Sequence, residues 1–309
     1  MKEPSVVVVG GVNMDIGGRP NRPLIDRDSN PGRVWHSVGG VGFNIACNLS
    51  LLGMPVTFLT AMGQDMYGER VAEACGQAGM NISRAIREEG AATSVYLFIA
   101  DERGDMRLAV SDMDICGRVT PEYLAKNRDA LDGAEAIVLD ANLPEESIRY
   151  LAETCQAPLF ADPVSVSKAG RMGDVLGRLH TLKPNRLEAE LLSGMAIRGP
   201  EDLDAAADKL LATGLKRVLI SMGGEGVHAS EAGRHLRVPC CPAEALNTTG
   251  AGDAFMAGLV YSHLRGFGLE QAARTASAAA AIAVEGARTI NPALSVASLE
   301  KKLNELEKE

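Results

Sequence analysis

The chain alternates short apolar runs with longer segments whose apolar residues recur every three or four positions. Ser5–Val9 reads Ser-Val-Val-Val-Val and stops at Gly10-Gly11, the pattern of a strand buried on both faces. Phe43–Leu52 carries apolar residues at helical spacing and closes at Gly53. Val56–Thr60 then predicts a strand, and Tyr67–Gln77 a helix ended by Gly79. From residue 121 the rhythm is regular. Helices are expected over Pro121–Ala130, Pro144–Cys155, about Ala169–Arg178, Arg186–Ser193 and Glu201–Ala212. They alternate with strands at Ala136–Asp140, Pro158–Asp162, Thr181-Leu182 and Arg217–Ser221. Gly226–Ala229 and His235–Val238 predict an edge hairpin, and Ala254–Leu264 and Leu269–Val284 two closing helices. Such alternation specifies an α/β fold, a doubly wound, mostly parallel sheet flanked by helices.

Two segments break the rhythm. Ile16–Ser37 is polar, contains Pro20, Pro23 and Pro31, and predicts loops with short strands. Ser94–Ala100 and Met106–Val110 flank Asp101-Glu102-Arg103-Gly104, a hairpin signal. Residues 16–37 and 93–115 are expected to form one small β lid over a site on the main sheet, within a single domain spanning 1–309.

Ligands of open α/β sheets bind beyond the C-terminal ends of the strands. Asp15, Asn142, Asp162, Asn185 and Ser221 all fall at or just past strand ends, so the polar residues gather on one edge. The densest signal is Asn247-Thr248-Thr249-Gly250-Ala251-Gly252-Asp253-Ala254-Phe255, a polar glycine turn that runs into a helix. Free N–H groups and the dipole of a helix start favour an anion. A carboxylate at Asp253 fits that place either as a helix cap or as a group that takes a proton from an attacking hydroxyl. Val38-Gly39-Gly40-Val41-Gly42 leads into a helix with Asn44 in its first turn, within reach of a ligand held over the Gly39-Gly40 backbone. Asn13 and Asp15 face one side of an extended segment, as turn residues or as a pair for sugar hydroxyls. Asn185 and Glu188 share a face of a helix start, where they also spell a capping box. Ser221-Met222-Gly223-Gly224-Glu225-Gly226 is a further strand-to-turn cluster that admits a flat or phosphorylated ligand. The early Gly10-Gly11 lacks the Gly-x-Gly-x-x-Gly spacing and no helix pattern follows it, which sets aside a dinucleotide-binding dehydrogenase.

Composition narrows the classes. With 309 residues, 46% apolar and 23% charged, the chain can bury a sizeable core. The net charge of −9 and the lack of a Lys/Arg block argue against nucleic-acid and membrane partners. The six cysteines form no Cys-x-x-Cys pair, so buried reduced thiols are expected. Val6–Val9 is too short for a signal peptide and Ala276–Val284 too short to span a bilayer. A cytoplasmic protein is the expectation.

Taken together, the motifs resemble the ribokinase-like carbohydrate kinase family, often called PfkB, along nearly the whole chain. Gly39-Gly40-Val41-Gly42-Phe43-Asn44 resembles its N-terminal signature and Thr249–Phe255 its C-terminal one. Lys183-Pro184-Asn185-x-x-Glu188 resembles its Asn-x-x-Glu element. Within the family, Asp28–Arg33, Ser111–Ile115, Asp162–Ser165, His180–Leu192, Ser221–Val227 and Asn247 are similar to the pseudouridine kinase subgroup. The resemblance implies ATP-dependent phosphorylation of the 5′-hydroxyl of pseudouridine. Ribose, fructose or another nucleoside is the alternative acceptor, and a non-catalytic sugar or nucleoside sensor a more distant one.

The roles implied are these. Asp253 is the base, and the amides of Gly250, Ala251, Gly252 and Asp253 hold the transferring phosphate. Asn13, Asp15, Gly39, Gly40 and Asn44 contact the sugar. Asn185, Ser221, Gly223, Gly224, Gly226 and Gly252 bind ATP, and Glu188 holds Mg²⁺ through water. Ser94, Tyr96 and Asp112, on the lid, are expected to cover the base. With an ordinary carboxylate pKa of about 3.9, Asp253 is expected to be ionised at neutral pH. Asn247 stands where K⁺-using relatives carry Asp, which speaks against K⁺ activation. A lid with open edges suits a homodimer that pairs the lids.

Overall fold

The computed structural model describes residues 5–306. Its larger sheet has eight strands. Their order is Arg234–Val238, Val227–Glu231, Arg217–Ser221, Thr181–Leu182, Leu159–Asp162, Ala136–Asp140, Val6–Val9 and Val56–Leu59. Pairing is parallel from Val56–Leu59 through Arg217–Ser221 and antiparallel across the last two strands. Valines 6 to 9 are all buried because this strand is interior and both its faces are covered by helices. One face packs Phe43, Ile45, Leu49, Met256, Val260 and Ile282, and the other Leu124, Leu143, Ile148, Leu151 and Leu210. The fold is the expected α/β architecture, a mostly parallel sheet flanked by helices.

The helices Ala251–Leu264 and Leu269–Val284 lie close together because small residues line their contact. A Cβ on Gly258 would come within 2.7 Å of Ala276 Cα. Close approach of this pair sets the position of Asp253 in the first turn of Ala251–Leu264.

Several elements differ from expectation. The Ile16–Ser37 stretch is not loops with short strands but two eight-residue strands, Asn13–Pro20 and Gly32–Gly39, fully paired with one another. Asn13–Pro20 also pairs in parallel with Val95–Ala100, which pairs with Met106–Asp112 to complete a separate four-stranded sheet. The proline-rich text hid these strands because Pro20 and Pro31 fall at a strand end and in the connection, where no ladder donor is needed. The first strand begins at Asn13, so both Asn13 and Asp15 belong to the small sheet.

The helix expected about Ala169–Arg178 is a short α-turn over Val166–Ala169 followed by a 3₁₀ stretch, Gly170–Arg178, broken up by three glycines. Pro121–Ala130 divides at Asn127, whose Nδ2 donates back to the Tyr123 carbonyl. The final helix Val296–Leu306 was not anticipated, although Val296, Leu299 and Leu303 carry its inward face. The six cysteines are unpaired, and four of them are buried.

Candidate active site

The site lies between the small sheet and the strand ends of the large one. Gly250 adopts φ 86°, a conformation that suits glycine, and turns the chain into the helix Ala251–Leu264. The helix starts three residues before the predicted Ala254, so Ala251, Gly252 and Asp253 form its first turn. The N–H groups of Gly252 and Asp253 lack partners and point out of the helix start, whereas the Ala251 N–H donates to the Thr248 carbonyl at 3.4 Å.

Asp253 is 8% exposed. Asn44 Nδ2 donates to its Oδ2 at 2.7 Å, joining the two glycine motifs across the sheet edge. Asn44 Oδ1 is buried with no protein partner, an acceptor suited to a ligand hydroxyl. Burial, then the nearby Asp162 carboxylate, push Asp253 up to about 7; Lys183 and the Asn44 bond counter this. The expectation of an ordinary, fully ionised carboxylate is therefore corrected. Desolvation, invisible in local sequence, decides it.

Lys183, in the sequence only part of the Lys-Pro-Asn motif, is central to the site. Its Nζ is 3.0 Å from Asp162 Oδ2, and both side chains are buried. Burial disfavours its charge, but Asp162, with Asp253 and Glu188, outweighs this and holds its pKa above the ordinary value. A Cβ on Gly252 would come within 2.8 Å of Lys183 Nζ, so glycine there lets the ammonium lie against the helix start. Asp162 Oδ1 accepts from Val164 N–H at 2.8 Å. Val164 has φ 67°, unusual for a β-branched residue and a local strain of the kind found at functional sites. Asp140, also unassigned from sequence, accepts from the N–H groups of Gly11 and Asn142. Burial pushes it up to about 6 despite those bonds.

Asn13 and Asp15 are joined directly, Asn13 Nδ2 donating to Asp15 Oδ1 at 2.6 Å. Burial raises the Asp15 pKa against that bond. A Cβ on Gly39 would collide with the Asp15 carboxylate, and one on Gly40 would press on Gly11 O at 2.8 Å. Gly40 sits at φ 101° and opens the helix Val41–Leu51, which places Asn44. Asp15 stands opposite Tyr96, so Asn13, Asp15, Ser94 and Tyr96 share one face of the small sheet. Trp35 and Phe98 lie on that face too, ring centroids 5.7 Å apart. Neither aromatic stood out in the sequence, although the alternation of Val95–Ala100 already sets Phe98 on the side of Tyr96. Asp112 pairs with Val95, which sets it on the opposite face, away from Asp15 and Tyr96. Its expected place over the ligand is corrected by this register.

Asn185 and Glu188 do form the capping box. Asn185 Oδ1 accepts from Glu188 N–H at 2.9 Å and Glu188 Oε2 from Asn185 N–H at 2.8 Å. Asn185 bridges to Ser221 in parallel, which brings two motifs into one place. A cleft of about 510 Å³ is lined by Ser221, Gly223, Gly224, Gly226, Ala251 and Gly252, with Ser277 and Ala280 opposite. No heavy atom lies within 4 Å of where a Cβ on Gly223 or Gly224 would stand, so a flat ligand can approach the turn closely.

A buried carboxylate poised near neutrality, at a helix start beside a buried lysine and a glycine-walled cleft, suits a phosphotransferase with a hydroxyl acceptor. The chain belongs to the pfkB family of carbohydrate kinases, whose model matches residues 3–296. It is 39% identical over 296 residues to the pseudouridine kinase of Escherichia coli (strain K12), covering 95% of each chain. It is also 39% identical over 291 residues to YeiI, an uncharacterized sugar kinase of the same strain, covering 94% of this chain and 80% of the relative. Among solved structures, Arabidopsis thaliana ribokinase complexed with ribose and ATP superposes with a TM-score of 0.86 at 24% identity, covering 97% of this chain and 99% of that one. Among the described residues no helix is long and apolar enough to cross a membrane.

Proposed function

We propose that this kinase transfers the γ-phosphate of ATP to the 5′-hydroxyl of pseudouridine, giving pseudouridine 5′-phosphate and ADP. The observation that carries the chemistry is Asp253, buried at a helix start, bonded to Asn44 and poised near pH 7. The hydroxyl proton goes to Asp253, an O–P bond forms and the bond to the leaving ADP oxygen breaks. Phosphoryl transfer needs alignment and charge neutralisation more than covalent assistance. Amides of Gly250–Asp253 and the Lys183 ammonium supply that neutralisation without rearranging. Asn13, Asp15, Gly39, Gly40 and the free Asn44 Oδ1 orient the ribose. The ATP base and phosphates take the cleft at Ser221–Gly226 beside Asn185. The oxygen-rich group of Asp162 and Glu188 suits Mg²⁺, held through water by Glu188. When bound, Mg²⁺ offsets phosphate charge.

The acceptor is chosen over other sugars because of the relative named pseudouridine kinase, and because Tyr96, Trp35 and Phe98 offer ring faces on the side of Asp15. Ser94 and Tyr96 would then cover the base, with the small sheet acting as a lid that excludes water. YeiI, at equal identity, keeps a different sugar as the competing reading. Steady-state rates with pseudouridine, uridine, adenosine, ribose and fructose decide between them. The reading stands if pseudouridine has the highest kcat/KM, and it fails if ribose or fructose exceeds it. Val34, Leu97, Leu108 and Val110 form an exposed apolar stripe on the far face of the small sheet, which supports a homodimer that pairs these sheets.

A further inference from the structure

The antiparallel margin of the large sheet carries a polar group that phosphoryl transfer does not use. His228 lies in the strand Val227–Glu231 and His235 in the neighbouring Arg234–Val238. Asp204 and Asp208 stand one turn apart on the helix Pro200–Leu211, which packs against them. The two imidazoles stack with centroids 5.7 Å apart. His228 Nε2 is 3.4 Å from Asp204 Oδ1, and His235 Nε2 is 3.3 Å from Asp208 Oδ1. Ser230 Oγ lies between the rings, 3.0 Å from His228 Nε2 and 2.9 Å from His235 Nδ1. One ligand atom each from Asp204, His228 and His235 lie within 4.8 Å of one another.

We infer that Asp204, His228 and His235 form a binding site for a borderline divalent metal ion, with Zn²⁺ the best match and a water as the fourth ligand. Tetrahedral Zn²⁺ with bonds of about 2.0–2.1 Å sets neighbouring ligand atoms about 3.3 Å apart. The 3.4 Å between His228 Nε2 and Asp204 Oδ1 matches that edge. Two imidazoles and a carboxylate suit Zn²⁺ rather than Mg²⁺. Asp204 and Asp208, one turn apart, repel each other and call for a cation. Arg237 answers only in part: its Nη2 is 3.8 Å from Asp204 Oδ1 on a half-exposed side chain that can turn to solvent. His228 is wholly buried, which disfavours an imidazolium there. Bound there, the ion ties the edge hairpin to Pro200–Leu211. His228 follows the Gly223–Gly226 turn by two residues, so the ion would also steady that turn.

Zinc chloride titrated into metal-stripped full-length protein tests this, with heat of binding and Tm as readouts. One ion per chain and a higher Tm are expected. D204N and H235A should each weaken binding more than about tenfold and abolish the Tm rise. C240S, at an exposed thiol nearby, should leave both unchanged. Should H235A not fold, D204N reads the same loss, since its side chain is 42% exposed. The inference is overturned if the wild type takes up no stoichiometric Zn²⁺, if binding survives D204N, or if it disappears in C240S.

Discussion

Replacing Asp253 by its isosteric amide separates what the carboxylate does for catalysis from what it costs the fold. In the wild type, burial and the neighbouring Asp162 raise its pKa from 3.8 to about 7. Holding a carboxylate charged against such a rise costs about 4 kcal/mol as an upper bound. D253N escapes that cost, and its amide oxygen still accepts from Asn44 Nδ2. The sign follows from proton linkage. The folded state binds this proton more tightly than the unfolded chain, so wild-type stability falls as pH rises from 3.8 to about 7. The advantage of D253N is therefore absent near pH 4 and complete above pH 7. Its Tm should exceed that of the wild type by several degrees at pH 8 and match it near pH 4. Its kcat should drop about 10²–10⁴-fold, the usual worth of a positioned base, while acceptor binding measured by calorimetry stays within a few-fold. Wild-type kcat should rise through about pH 7 with the loss of one proton. Turnover of D253N within tenfold of wild type, or equal Tm values at pH 8, would refute the placement of a buried base at this position.

Four further outcomes follow from the same geometry. G39A places a Cβ against the Asp15 carboxylate and should raise acceptor KM about tenfold or more, with kcat less affected; an unchanged KM removes Asp15 from sugar binding. K183M strips the buried partner from Asp162 and should cost about 3–5 kcal/mol in urea unfolding. The same change removes a charge that lowers the Asp253 pKa, so the pH midpoint of kcat should move upward, and a fixed midpoint would separate the two groups. Asn247 is neutral and its Oδ1 already accepts from Thr249 N–H, so initial rates in KCl and NaCl should agree within twofold; strong K⁺ activation contradicts this. L108E puts a charge into the apolar stripe of the small sheet and should turn a dimer into a monomer in analytical ultracentrifugation, whereas an unaltered dimer locates the interface elsewhere.

Much of this protein is written locally. The run Val6–Val9, the helical spacing of Phe43–Leu52 and the regular alternation after residue 121 specify an α/β sheet, since each depends on the period of nearby apolar residues. The glycine motifs at Gly39–Asn44 and Gly250–Asp253 were legible for the same reason: a sharp turn into a helix start needs those residues in that order. What tertiary structure alone decided involves partners distant in the chain. Asn13–Pro20 and Gly32–Gly39 are strands because Val95–Ala100 completes their sheet, and its register puts Tyr96 beside Asp15 but Asp112 on the far face. Asn44 meets Asp253 across 209 positions, and Lys183 reaches Asp162 and the backbone at Gly252 only once the sheet brings their strand ends together. The pKa of Asp253 depends on the same convergence. A carboxylate's affinity for its proton is set by the water it loses and the charges it faces, and both are properties of the packed chain.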